Sequence, residues 1–139
     1  MNAYLKNYQN TQVQTASPEQ ILIMLYDGAI RFLEQASEAM GSGDYAVKIK
    51  NIDKTLAIIS ELNATLDHEI GGEVAANLAS LYDFMMREIP RANARNDATV
   101  LAPVISILRE LREAWVEAAE IVRKERASQP SSNPSVAVG

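Results

Sequence analysis

The chain has 139 residues, of which 47% are hydrophobic, and this is enough apolar material for the core of one domain. Lys and Arg number 13 against 18 Asp and Glu, and without a basic run this net charge of -5 argues against nucleic acid as a partner. The absence of cysteine excludes disulfides and thiolate chemistry. Neither a secretory signal pattern nor a membrane-spanning apolar run is visible, so we expect a cytoplasmic protein without membrane insertion.

The first predicted element is a segment over residues 1–16 that precedes any helix signal. It is polar except for four apolar side chains, Tyr4, Leu5, Tyr8 and Val13. These side chains could contact a folded domain, so we predict that this segment docks onto the helical domain that follows it.

The first predicted helix begins at Ser17 and ends near residue 40. Ser17 can cap the free amides, Pro18 suits the first helical position, and Gln20 completes a capping box. Apolar residues then recur at helical spacing and predict one core-facing stripe, formed by Leu22, Leu25, Ala29, Phe32, Leu33 and Ala36.

Three further helices follow, each preceded by a turn signal. The "GSGD" stretch at 41–44 supplies a glycine stop and a cap at Asp44 for a second helix over 45–69. Gly71-Gly72 predicts a break before a third helix over 73–93, whose last turn Pro90 kinks or frays. Asp97 or Thr99 can cap a fourth helix that ends near 126. Pro103 suits this helix poorly if it starts as early as 98.

Long helices joined by short turns predict an all-α fold, an antiparallel up-down-up-down four-helix bundle over 17–126. No stretch shows the alternation of a strand. Residues 127–139, "ASQPSSNPSVAVG", are rich in Ser, Pro and Asn, so we expect a disordered C-terminal tail.

Catalytic and metal-binding patterns are missing from the sequence. The single histidine, His68, lies in "LDHEIGG" at the predicted C-terminal end of the second helix, and the residues at ligand spacing cannot bind a metal. A di-iron site would need two Glu-x-x-His motifs, and no nucleophile elbow or phosphate-binding glycine loop occurs. The sequence therefore predicts neither an enzyme nor a cofactor.

Apolar surface is the remaining signal. On the second helix apolar residues cover about half the circumference, and on the fourth the arc through Leu111 and Trp115 is wider still. Such a surplus indicates a binding face or an oligomer interface, although a thickly packed core has the same pattern. The repeated "LYD" elements at 25–27 and 81–83 predict two half-buried tyrosines at the edge of the bundle.

Three stretches, "VQTASPEQILIMLYDGAIRFLEQA", "LNATLDHEIGGEVAANLASLYDFM" and "LRELREAWVEA", follow an N-terminal tyrosine in this order. Together they resemble the FliS family of bacterial flagellin-specific export chaperones. The resemblance implies a helical bundle that binds the C-terminal segment of flagellin, prevents premature polymerisation and delivers it to the flagellar type III secretion apparatus. It also implies that Tyr8 matches the family's N-terminal tyrosine, in a segment that covers part of the client surface.

Candidate flagellin-binding residues are therefore apolar positions on the second, third and fourth helices together with the N-terminal tyrosine. They are Tyr8, Ile52, Leu56, Ile59, Leu66, Leu78, Leu81, Leu108 and Leu111. Export gate components and regulators of flagellin synthesis are further candidate partners.

Two alternatives stay open. Histidine phosphotransfer modules are also small helical bundles, but they need an exposed imidazole partway along a helix, whereas His68 lies between two acids near a predicted helix end. A structural homo-oligomer, such as a homodimer, would cover the surplus apolar arc with a second copy of the chain.

Overall fold

A computed structural model describes residues 16–129, and this part of the chain contains four helices and no strand. The helices are α1 (Pro18–Ser42), α2 (Tyr45–Ala64), α3 (His68–Arg95) and α4 (Ala98–Ser128). Connections of two or three residues join them, as the turn signals predict. The predicted docking segment and most of the predicted tail lie outside the described residues.

The four helices pack in a ring. α1 contacts α2 and α4, and α3 contacts the same two helices from the opposite side. Ion pairs show that α1 and α4 run antiparallel, because Arg126 near the end of α4 pairs with Glu19 at the start of α1, at 3.1 Å. Arg109, earlier in α4, pairs with Glu34, later in α1. The up-down-up-down four-helix bundle is confirmed.

The start of α1 is the predicted capping box. The Gln20 amide donates to Ser17 Oγ at 3.2 Å, and the Ser17 amide donates to Gln20 Oε1 at 2.9 Å. At its other end, Gly43 adopts the left-handed conformation at φ 77°, which glycine tolerates without steric cost. Both ends of α1 are thus fixed by local sequence.

Replacing Ser17 with alanine should lower the free energy of unfolding by about 1 kcal/mol, because one amide of the first turn then loses its acceptor. Urea denaturation of the full chain measures this change. Ser60→Ala is the matched control, since Ser60 lies exposed within α2 and alanine is the better helix former there. Equal losses in the two variants would contradict the capping role.

The prediction that the second helix extends to residue 69 is wrong. α2 ends at Ala64, and Asp67 begins a new helix because its side chain accepts from the amides of Glu69 and Ile70, at 3.1 and 3.0 Å. His68 therefore occupies the first turn of α3 and not the C-terminal end of α2. The cap at Asp67 favours this boundary, since its carboxylate accepts from two first-turn amides that have no acceptor within α3.

The predicted break at the glycine pair is a kink inside α3. Gly72 has φ 49° and ψ -122°, a backbone conformation that other residues rarely adopt, and it separates the first turn from the remainder of the helix. Pro90 does not end α3, which continues to Arg95. α4 starts at Ala98, capped by Asp97, so Pro103 does lie inside it.

The core lies between the four helices and includes both tyrosines of the "LYD" elements. Tyr26 on α1 and Tyr82 on α3 are 0% and 1% exposed, and their hydroxyls hydrogen-bond to each other across the centre of the bundle. The prediction of half-buried tyrosines at the edge is wrong. Because each hydroxyl is the partner of the other, both rings can be buried without an edge position.

Candidate functional site

One end of the bundle carries an open apolar cavity of about 290 Å³. This end is formed by the start of α1, the end of α2, the start of α3 and the end of α4. All four helices contribute apolar side chains to the cavity wall, among them Leu22, Leu62, Val74, Leu78 and Trp115. An apolar site built by four rigid helices is preformed for an apolar ligand.

A second cavity, of about 240 Å³, adjoins the first between α1 and α4. Pro18, Ala118 and Val122 line it, and Leu22 and Trp115 belong to the walls of both cavities. The two cavities thus form one continuous apolar surface, which we call the terminal groove. It runs from the α2–α3 connection across Trp115 to the start of α1.

Apolar side chains also project from the rim of the terminal groove. Ile70 is 88% exposed and Val74 is 64% exposed, on either side of the kink at Gly72. Both side chains are exposed because α2 ends at Ala64, so no further turn of α2 packs against this part of α3. Contiguous exposed apolar residues beside a cavity mark an interaction site.

Charged residues border the groove along α1 and α4. Glu19, which lines the second cavity, pairs with Arg126 at 3.1 Å, and Glu120 pairs with Arg123 at 2.5 Å. These pairs line a neighbouring, more polar cavity of about 410 Å³. An apolar centre with a charged rim is the usual anatomy of a protein–protein interface.

The predicted binding residues fall into three groups in the structure. Leu66 and Leu78 line the terminal groove. Leu56, Leu81 and Leu111 are half-buried and pack against the core. The third group, fully enclosed in the core, comprises Ile52, Ile59 and Leu108.

The three enclosed side chains hold the helices together, and no surface of theirs is open to a partner in this conformation. Tyr8 lies outside the described residues. Of the predicted residues, Leu66 and Leu78 are therefore the two that line the terminal groove.

Sequence reasoning missed most of the groove. Leu22 fits the core stripe of α1, and Leu62 and Trp115 continue the apolar faces of their helices. Helical periodicity shows which face of a helix is apolar, but it does not show which turns lack a covering neighbour. Ile70, an isoleucine directly before the glycine pair, was the available signal for an uncovered apolar turn.

Three polar groups lie among these apolar side chains. Trp115 Nε1 is buried without a hydrogen-bond partner among the described residues, and Trp115 is close enough to the Tyr26 hydroxyl to lower its pKa. Burial raises the pKa of Tyr26, and contact with Tyr82 and Trp115 lowers it by a smaller amount. Burial also raises the pKa of Tyr82, and its hydrogen bond with Tyr26 raises that pKa further. An unpaired buried donor costs about 1–3 kcal/mol.

Groups suited to catalysis do not come together in the described structure. His68 is exposed in the first turn of α3, next to the capping carboxylate of Asp67. Between residues 16 and 129, no three His, Asp or Glu side chains are placed to hold a metal ion. Within the same range, no helix combines the length and apolarity needed to cross a membrane.

Apolar side chains are also exposed at the opposite end of the bundle. Tyr45, Val47 and Ile49 are exposed at the start of α2. The adjoining cavity, of about 260 Å³, is lined mainly by polar residues such as Glu38 and Asp44. These three residues provide matched control positions for the terminal groove.

The family model and the similar proteins all point to the same family. The model of the family described as "Flagellar protein FliS" matches residues 1–122. The chain is similar to the flagellar secretion chaperone FliS of Vibrio cholerae, 44% identical over 83% of this chain and 85% of the relative. It is also similar to the protein of that name from Bacillus subtilis, 38% identical over 86% and 88% of the two chains. The chain therefore belongs to the FliS family of flagellar secretion chaperones.

Proposed function

We propose that this protein binds the C-terminal segment of flagellin in the cytoplasm, prevents its premature polymerisation and delivers it to the flagellar type III secretion apparatus. The observation that carries the proposal is the terminal groove, an apolar recess with exposed Ile70 and Val74 at its rim. The names of the relatives, flagellar secretion chaperones, supply the export pathway.

The shape of the groove suits a segment that orders as it binds. Ordering a disordered client uses part of the interaction free energy, so a large apolar surface is needed for useful affinity. Two adjoining cavities, of about 290 and 240 Å³, offer successive recesses for apolar side chains of one client segment. An amphipathic helix lying in a groove is a common form of such recognition.

The N-terminal segment fits this proposal as a competitor for the same surface. Pro18, the first residue of α1, lines the terminal groove, so residues 1–16 join the bundle at the edge of the proposed client site. A segment that docks there through Tyr8 would lower the apparent client affinity by the fraction of molecules that are open.

Further partners are part of the proposal. Export gate components or regulators of flagellin synthesis could contact the exposed Tyr45 and Ile49, which share one face of α2, while flagellin occupies the groove. A second copy of the chain is the other candidate for that face. Both placements leave the terminal groove to the client.

The decisive experiment compares intact flagellin with flagellin that lacks its C-terminal segment. Isothermal titration of each into the purified full-length protein measures the affinities. We expect saturable binding of the intact subunit and none of the truncated one. Equal binding of the two, or binding of neither, would refute the proposed function.

A further inference from the structure

A cluster of basic residues lies on the outer surface where α1 and α2 pack together. It consists of Arg31 on α1 and of Lys50 and Lys54 on α2, and we call it the basic cluster. Arg31 Cζ lies 5.2 Å from the centre of the Phe32 ring, and Lys54 Nζ lies 5.1 Å from the same ring centre. Cation–π contacts of this kind hold both charges beside one ring.

The acids that could neutralise Arg31 are paired elsewhere. Asp27 lies four residues before Arg31 and Glu34 three residues after it, at the spacings where helical neighbours form ion pairs. Arg112 of α4 binds Asp27 at 2.5 Å, and Arg109 of α4 binds Glu34. Within the described part of the chain, no carboxylate forms an ion pair with Arg31. Both acids of α1 thus face α4, whereas Arg31 lies at the junction with α2.

Lys50 is not neutralised on α2 either. Asp53, three residues later, is the acid at ion-pair spacing, and the structure shows no ion pair between the two. The residue four positions after Lys50 is Lys54, and like charges at this spacing destabilise a helix. Burial lowers the pKa of Lys54, and the nearby charges of Lys50 and Arg31 lower it further. Positive charge is therefore concentrated here in a chain whose net charge is -5.

A carboxylate-rich protein segment fits the basic cluster better than other anions do. Arginine and lysine donate charge-assisted hydrogen bonds to carboxylates, and incoming carboxylates would relieve the repulsion among the cations. A nucleic acid or an anionic membrane presents many negative charges, which the net charge of -5 repels. Anionic lipid surfaces are typically bound by clusters of about 4–8 basic residues, more than this cluster contains.

We propose that the basic cluster binds an acidic segment of a second protein, at a site separate from the terminal groove. None of its residues lines the two cavities of the groove. The partner is additional to flagellin, so this site does not depend on the proposed function. Several Asp or Glu side chains of the partner segment pair with the cations of the cluster, while apolar contacts hold flagellin in the groove.

The first test measures binding of a fluorescent hexaglutamate peptide to the full-length protein. Fluorescence anisotropy at low ionic strength should show saturable binding that weakens as salt screens the charges. Hexaglutamine, which has the same length and no charge, should not bind. Absence of hexaglutamate binding, or equal binding of the two peptides, would overturn the proposal.

The variant Lys50→Glu tests where the peptide binds. Lys50 is exposed, and a carboxylate in its place should weaken hexaglutamate binding about fivefold. Lys124→Glu is the matched control, because it makes the same change of charge at an exposed position of α4, close to Glu120. Its affinity should equal that of the parent. Equal losses in the two variants would show that net charge alone governs binding and would contradict a site at the cluster.

The kind of partner is tested with vesicles of phosphatidylglycerol. The parent should remain in solution when such vesicles are sedimented, because the protein is acidic and the cluster is small. Sedimentation of the parent with the vesicles, lost in Lys50→Glu, would assign the cluster to a membrane surface and refute the protein partner.

The separation of the two sites is tested in the complex with flagellin. Saturating the protein with the C-terminal flagellin segment should leave its affinity for hexaglutamate unchanged. Loss of hexaglutamate binding in that complex would show that the cluster belongs to the client site, contrary to the proposal. A protein that binds hexaglutamate but no flagellin would refute the proposed function alone.

Discussion

Val74→Asp should weaken binding of the C-terminal flagellin segment by about a hundredfold or more. Val74 lies at the rim of the terminal groove, where it both lines the cavity and projects from it. A client that covers this position would bury an unpaired carboxylate, which costs several kcal/mol in an apolar site. Isothermal titration of the purified variant measures the loss.

The matched control for this variant is Ile49→Asp. Ile49 is a β-branched residue with 48% exposure on α2, at the end of the bundle opposite the groove. The same apolar-to-acid change there adds the same charge to the protein and should leave the affinity unchanged. A similar loss in both variants would show that net charge, and not the groove, governs binding.

Ile59→Ala should lower the free energy of unfolding by about 2–5 kcal/mol, because Ile59 is fully buried and its truncation leaves a cavity between helices. Chemical denaturation of the full chain measures this. Under conditions in which the variant is folded, its affinity for the flagellin segment should stay near that of the parent, since no surface of Ile59 faces the groove.

The comparison variant is Leu66→Ala. Leu66 is half-buried and lines the terminal groove, so its truncation should reduce affinity more than stability. The two residues, both predicted as flagellin-binding from the sequence, thereby separate into a core residue and a groove residue. A loss of affinity in folded Ile59→Ala as large as that in Leu66→Ala would contradict this division.

Most of the fold could be predicted because its signals are local. Ser17 with Gln20, Gly43, Asp44 and Asp97 each act through the backbone within a few residues of themselves, and each is used in the structure as the sequence indicates. Short connections then leave antiparallel packing as the arrangement that buries the apolar faces.

The boundary between α2 and α3 could not be predicted in the same way. Two local features lie close together there. Asp67 caps the start of α3, and Gly72 kinks the same helix five residues later. Apolar periodicity runs through Leu66 and Ile70 and favours a longer second helix. The capping hydrogen bonds of Asp67 outweigh that pattern.

The terminal groove depends on relations between helices that periodicity does not contain. Trp115 and Leu22 come from opposite ends of the sequence and meet because α1 and α4 are antiparallel neighbours. The pairing of Tyr26 with Tyr82 depends on the same geometry, since it joins two helices across the ring. The family resemblance implies a client but not where on the bundle the client lies.

The most direct measurement of the central claim is photo-crosslinking from single positions of the full-length protein. A photoreactive amino acid in place of Ile70, which is 88% exposed at the groove, should crosslink purified flagellin within its C-terminal segment. The same amino acid in place of Tyr45, exposed at the opposite end, should give no crosslink to that segment. Crosslinks from position 45 but not from position 70 would contradict the assignment of the terminal groove as the client site.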